Sequence, residues 1–341
     1  MNQHANPMRG LDLLHSEMAR QHDDALASLR QARANPISAS AAAAMRRDGR
    51  ALLVGMGGSH WINRIVEPLY RQAGIDTTAI VASELLRAPM PTAAHTVLLT
   101  SQSGRSGEVL RYLGQTAAQP HRFGITLDPR SDLARTIPSL IGAGGLEKAF
   151  AATRSLLMTL AMHGAVLEAL QVDVGPLDDA LARPAAKADE AAVAVLACCQ
   201  SAIFSSRGAL QGVAEAGALT MMELARIPVL ALEGGQFRHG PYEIINNRMA
   251  MVLIRPGGPD SASVARLAEA IARTNNKPIV FDLSGDAPLP HALTIALPPL
   301  KGLAAAAVAL PALQAVVVPA ADRMVENVGI PVRSSKITDG E

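Results

Sequence analysis

At 341 residues the chain has room for two domains of ordinary size. A hydrophobic share of 49%, a charged share of 18% and a net charge of +1 describe an ordinary globular protein and give no electrostatic ground for binding nucleic acid or an acidic membrane, so any phosphate has to be bound locally. The only cysteines, Cys198 and Cys199, stand side by side in an apolar run, a spacing that suits neither a disulfide framework nor a metal cluster and fits a reducing compartment.

The opening Met1 to Pro7 lacks the basic-then-apolar pattern of a signal peptide, and a cytoplasmic protein is expected. Leu11 to Gln31 has amphipathic helical character. From Ala51 the chain reads as strand, glycine loop and helix: Ala51-Leu-Leu-Val-Gly55, then Met56-Gly57-Gly58-Ser59, then Ile62, Ile65, Val66 and Leu69 at helical spacing. Apolar runs at Thr78 to Ala82, Thr96 to Thr100 and Phe123 to Leu127 alternate with helix-like stretches. Strands apolar on both faces predict a parallel sheet covered on both sides.

The second half repeats this order, which pairs Gly58 with Gly208, Ile80 with Val229, Val97 with Val252 and Gly124 with Ile279. The fold class expected is therefore α/β, two doubly wound parallel-sheet domains of flavodoxin-like type related by internal duplication. The division is 1–40 as an N-terminal helical segment, 41–190 as the phosphate-binding domain, 191–321 as the second domain and 322–341 as a C-terminal tail. Gly302 to Ala321 carries no charge and is long enough to span a bilayer, but its alanines and the breaks expected at Pro311 and Pro319 favour a helix buried in a core.

Ligands of such sheets bind beyond the carboxyl ends of the strands, against helix N-termini. Ser101-Gln102-Ser103-Gly104-Arg105-Ser106-Gly107, between a strand and a helix that begins near Glu108, offers hydroxyls, backbone N–H groups and the positive end of a helix dipole to a phosphate. Gly55 to Ser59 lies at the end of a neighbouring strand. It is not followed by a Walker lysine, and serine and glycine in either loop also have the plainer use of shaping turns. The corresponding place in the second half is Arg255-Pro-Gly-Gly-Pro-Asp260, without the serines. Val213 to Arg226 is helix-like, and on spacing alone its Glu223 reads as a solvated carboxylate.

Four segments in order resemble the sugar isomerase (SIS) domain family in its double arrangement, as in the isomerase part of glutamine:fructose-6-phosphate aminotransferase and in isomerising glucosamine-6-phosphate deaminases. They are Ser101-Gln-Ser-Gly-Arg-Ser106, Glu147-Lys-Ala-Phe-Ala-Ala-Thr153, Glu223 with Phe237-Arg-His239-Gly-Pro241, and Ser335-Lys336-Ile-Thr338. The resemblance runs from about Glu17 to Lys336. It implies that Ser59, Ser101, Gln102, Ser103 and Ser106 hold a sugar phosphate, and that Gly57, Gly58, Phe150, Ala152, Thr220 and Ser335 complete the pocket. It makes Glu223 the base that moves a proton between C1 and C2 of the open-chain sugar. It further makes His239 the ring-opening histidine, reaching the neighbouring subunit's site in a homodimer, and Lys336 the amine that forms a Schiff base. The partner implied is a small phosphosugar, with neither cofactor nor metal, and with neither nucleic acid nor membrane.

Three departures accompany the resemblance. Where the aminotransferases carry a glutamate and a lysine ahead of the base, this chain has Ala216 and Thr220, which share a helical face with Glu223 by spacing. Glu215 stands one residue out of register, and Arg154 replaces the lysine that follows Thr153. The leading expectation is an enzyme that deaminates with isomerisation, or deglycates, an amino sugar phosphate such as glucosamine 6-phosphate. Synthesis from glutamine is not expected, because the chain has no glutaminase domain and no cysteine near its start. The alternatives are a phosphosugar isomerase without nitrogen chemistry and a non-catalytic phosphosugar-sensing module. The latter would need a helix-turn-helix domain for which the region before Ala51 is too short.

Overall fold

Asn35 ends one helix and starts the next. Its side chain accepts a hydrogen bond from the Ile37 N–H, and Pro36 takes the first helical position, where a missing N–H is harmless. The structure, a computed structural model, describes residues 10–90, 95–116 and 119–336; the first nine residues, and Ile337 and Thr338 of the last motif, lie outside that range. Helices α1 (Gly10–Ala34) and α2 (Pro36–Asp48) precede the first sheet.

The first half runs β1 (Arg50–Gly55), α3 (Gly57–Gln72), β2 (Asp76–Val81), α4 (Ala82–Arg87), β3 (Thr96–Thr100), α5 (Gly107–Gln115), β4 (Arg122–Thr126), α6 (Asp132–Thr136) and β5 (Ser139–Ile141). Helices α7 (Arg154–Ala169), α8 (Leu177–Leu181) and α9 (Glu190–Ala197) lead to the second half. That half runs β6 (Ser201–Ser205), α10 (Ala209–Ala225), β7 (Val229–Ala231), β8 (Met249–Arg255), α11 (Ser261–Ala272), β9 (Ile279–Asp282), β10 (Leu293–Ala296) and α12 (Gly302–Met324). Both sheets are parallel throughout, in the orders β2-β1-β3-β4-β5 and β7-β6-β8-β9-β10. Counted within its own half, each is the doubly wound order in which the winding reverses between the first and third strands. The α/β class with two parallel sheets is the one expected.

Strand pairing corrects the alignment of the two halves. If Gly58 is matched to Gly208, Leu53 corresponds to Ile203. Leu53 pairs with Ala79 and Ile203 with Leu230, while Leu52 pairs with Val97 and Ala202 with Ala250. The expected matches of Ile80 with Val229 and of Val97 with Val252 are therefore each two residues out. Gly124 with Ile279 holds, because Leu99 pairs with Gly124 and Val252 with Ile279. A slip of two leaves every side chain on its own face of the sheet, so the apolar pattern cannot reveal it.

Buried helices join the halves. α7, nearly all of it enclosed, packs against α1, α2, α3 and α12, and α10 packs against α3 and α12. Gly212 sits where α10 meets α3: a Cβ there would lie 2.6 Å from Ile65 Cγ1 and 2.7 Å from Ile65 N. Only glycine lets the two helices approach this closely. α12 is the apolar run, 89% buried over its most apolar stretch, and it continues through Pro311 and Pro319 rather than breaking. Packing against α7, α9 and α10 outweighs the hydrogen bonds that the prolines forgo. The divisions read from the sequence fall within α2, at the start of α9 and within α12.

Candidate active site

The loops that leave β1 and β3 meet at the switch point of the first sheet, each feeding a helix N-terminus, α3 and α5. Gly104 turns the second loop with φ 62, and a Cβ on it would stand 2.2 Å from Ser131 Oγ. Arg105, the cation of this loop, turns aside and donates to Asp128 at 2.8 Å. Hydroxyls, an amide and helix termini are left to meet an anion. Ser59, Gln102, Ser103 and Ser106 line a cavity of about 310 Å³ together with Gly57 and Gly58. Ser101 does not reach this cavity: it is buried behind Ser106, their hydroxyls 3.1 Å apart, because its backbone N–H is tied to Ile125 O in the sheet.

The rest of the lining comes from the turn before α7, from α7 itself, from α10 and from the chain's last described residues. Glu223, Phe150, Ala152, Ser335 and Lys336 line the same cavity as the serine loop. Burial pushes the Glu223 carboxyl up to about 7, opposed by the Lys336 charge and reinforced by that of Glu147. Lys336 Nζ lies 3.4 Å from Glu147 Oε2 and 3.3 Å from Phe150 O.

Glu147 is fully enclosed. Its Oε1 accepts from Thr153 N–H, Thr153 Oγ1 and Arg154 N–H, each at 2.8 Å, and its Oε2 accepts from Ser155 Oγ. Burial alone would raise its pKa. The Lys336 charge and the Ser155 and Thr153 hydrogen bonds outweigh that and hold the carboxyl below its usual range.

Other expected features fall elsewhere. Thr220 does not face the cavity: its hydroxyl donates to Ala216 O at 3.0 Å, and both residues line a separate small void against α12, beside Gln314. Leu219, one helical turn before Glu223, shares the cavity with it instead. Ala216 and Thr220 thus belong to the face of α10 that turns towards α12, because an i, i+4, i+7 stripe spans enough of a helix to touch two neighbours. Glu215 lies 3.7 Å from Arg64 of α3 and takes no part in the cavity. His239 is exposed at the end of the short turn Gln236–Arg238, outside the cavity of this single chain. Arg154 points away from the cavity altogether. Fully buried, it donates to Glu17, to Asp24 at 2.8 Å and to Gly145 O at 3.0 Å, and so fastens α1 to α7.

Sequence reasoning missed Glu108, Ser155, Thr159, Leu219 and Ser334, all of which line the cavity. Ser155 and Thr159 could have been found by extending the Glu147 motif into its helix, where they stand one turn apart.

Comparison with known proteins agrees with this architecture. Residues 195–316 match the SIS domain family. Glutamine–fructose-6-phosphate aminotransferase (isomerizing) of Rhizobium meliloti is 26% identical over 259 residues, covering 70% of this chain and 42% of the relative. That of Gloeobacter violaceus is 30% identical over 224 residues, covering 59% of this chain and 37% of the relative. The chain thus spans about two-fifths of the length of the curated relatives it matches. Among solved structures, Escherichia coli tagatose-6-phosphate ketose/aldose isomerase superposes with a TM-score of 0.79 at 19% identity, covering 96% of this chain and 99% of that one. The C-terminal domain of glucosamine-fructose-6-phosphate aminotransferase from Francisella tularensis gives 0.75 at 16%, covering 95% and 98%. At these identities the likeness is one of fold.

Proposed function

From a chain that carries an SIS domain in its second half and takes the fold of two-sheet phosphosugar proteins over nearly its whole length, we infer an enzyme acting on a phosphorylated sugar. The serine loop and the α3 and α5 N-termini bind the phosphate, and Glu223 moves a proton between C1 and C2 of the open-chain sugar. One observation carries this reading. A carboxylate whose pKa is lifted to about 7 faces a cationless anion cradle across a cavity of about 310 Å³. A base tuned to neutral pH is what proton abstraction beside a carbonyl requires.

The finer reading is isomerising deamination or deglycation of an amino sugar phosphate, in which Lys336 takes on nitrogen chemistry. It is favoured by the presence of the Lys336 amine in the same cavity as Glu223. We read the site as shared across a homodimer, with the exposed His239 serving a partner's cavity and opening the sugar ring there. The protein is expected to act in the cytoplasm.

The test is to incubate the protein with glucosamine 6-phosphate, fructose 6-phosphate and glucose 6-phosphate while measuring ammonia and aldose–ketose conversion together. Conversion with ammonia supports deamination, and conversion without it supports simple isomerisation. Binding without turnover of any of them would replace the enzyme by a sensing module.

A further inference from the structure

A second cavity, of about 330 Å³, adjoins the first. Phe150, Glu223 and Ser334 line both, so the two chambers meet where the proton-transferring carboxylate stands. Their chemistry differs. Arg226 and Arg333 line the second chamber and do not reach the first, and Met222, Pro331 and Val332 give it apolar surface. Among the described residues Glu223 is the only acidic group in its lining.

The backbone fixes both arginines there. Arg226 follows the last turn of α10 in the left-handed region, with φ 57, a position that favours glycine. Its side chain donates to Ile330 O at 2.8 Å, which draws the chain's last stretch across the end of the helix and places Arg333 beside the chamber. Arg333 forms no ion pair or hydrogen bond among the described residues, so its charge is not neutralised. Met222 and Val332 remain 39% and 63% exposed. Open apolar side chains next to a free cation suit a ligand with a carbon skeleton that ends in an anion.

We propose that the second chamber binds an α-amino acid joined through its nitrogen to C1 of a ketose 6-phosphate, with its carboxylate held by Arg226 and Arg333 and its side chain laid against Met222 and Val332. The proposal rests on the reading that puts the phosphate in the serine loop and C1 and C2 at Glu223. A substituent on C1 then continues past Glu223 into the second chamber. Ammonia would need no such space, so the chamber favours deglycation over deamination. A phosphate on O1 would stand beside the Glu223 carboxylate and short of the arginines, which do not reach the first cavity, whereas a carboxylate on a carbon spacer reaches them.

The probes are fructose, fructose 6-phosphate, fructose 1,6-bisphosphate and two ketosamine 6-phosphates that differ in one group: the N-linked fructosyl 6-phosphates of leucine and of isoamylamine, which is leucine without its carboxylate. Calorimetric titration uses Glu223→Gln protein, whose missing base leaves the conjugates intact. The leucine conjugate should bind about tenfold more tightly than the isoamylamine conjugate, the lower end of what a charge-assisted pair contributes, because both arginines are open to solvent. That ratio should fall towards one when Arg333→Gln is added, and also as salt is raised to about 0.5 M. Equal affinity for the two conjugates, or a ratio that Arg333→Gln leaves unchanged, overturns the proposal. So does a bisphosphate that gains as much over fructose 6-phosphate as the carboxylate gains for the conjugate. Each of these results leaves the phosphate cradle and Glu223 as they are. Fructose 6-phosphate that binds no better than fructose, or wild-type protein that exchanges no C1 deuterium on any phosphorylated probe, would instead overturn the reading beneath the proposal, and the proposal with it.

Discussion

Glu223 gives the structure a pH signature. With its carboxyl at about 7, the base form predominates only above neutrality, and at pH 6 about one tenth of the molecules carry it. An ordinary glutamate would be almost wholly ionised there. The rate of C1/C2 proton exchange at low substrate should therefore rise roughly tenfold between pH 6 and pH 8 and level off beyond, since kcat/KM reports groups of the free enzyme. The causes of the shift can be tested one at a time. Burial is the largest and the Lys336 charge opposes it, so Lys336→Met should move the midpoint above 7. Glu147 adds to it, so Glu147→Gln should move the midpoint below 7. The assay is a carboxyl titration by isotope-edited infrared or NMR, which works even in variants that turn over poorly. A midpoint near the ordinary glutamate value in wild type, or one indifferent to both substitutions, would refute the assignment of Glu223 as a desolvated base coupled to this pair.

Ser103→Ala should weaken phosphosugar binding by roughly ten- to a hundredfold, from loss of a charged hydrogen bond of ~1.5 to 3 kcal/mol, whereas Ser101→Ala, acting only through Ser106, should cost less in the same calorimetric titration. Equal losses would place Ser101 in contact with the ligand. Arg154→Met should destabilise the fold by about 3 to 5 kcal/mol, because it leaves Glu17 and Asp24 without their buried partner. A urea midpoint close to wild type would contradict that. Mixed Glu223→Gln and His239→Ala proteins should recover part of the activity after subunit exchange; no recovery despite proven exchange would remove His239 from a shared site.

Period and loop chemistry made much of this protein legible in its sequence. Apolar runs marked the first four strands of each half but not the short edge strands β5 and β10, and the serine loop stood out because its hydroxyls, backbone N–H groups and the helix that follows it suit a phosphate. What escaped has identifiable physical causes. The two-residue slips in matching the halves conserve side-chain direction, so only strand pairing exposes them. Thr220 was expected in the pocket because a helical stripe fixes which residues share a side but not which neighbour they meet, and α12 takes Ala216 and Thr220 while the cavity takes Leu219 and Glu223. Arg154 looked like a conservative change within a motif, yet its side chain leaves the site to hold α1, a contact with residues more than a hundred positions away that no local pattern encodes. Glu147 was visible as a motif residue but without a role, because what defines it is a set of donors assembled from a turn and from the chain's far end.

The most direct test of the central claim compares deuterium incorporation at C1 and C2 of hexose 6-phosphates by wild-type protein and by Glu223→Gln, with phosphosugar affinity measured on the same samples. The account predicts exchange in the wild type, its loss in Glu223→Gln, and affinities that agree within a few-fold, since the substitution keeps the shape of the wall and leaves the serine loop untouched. Exchange that survives in Glu223→Gln at the wild-type rate would contradict it.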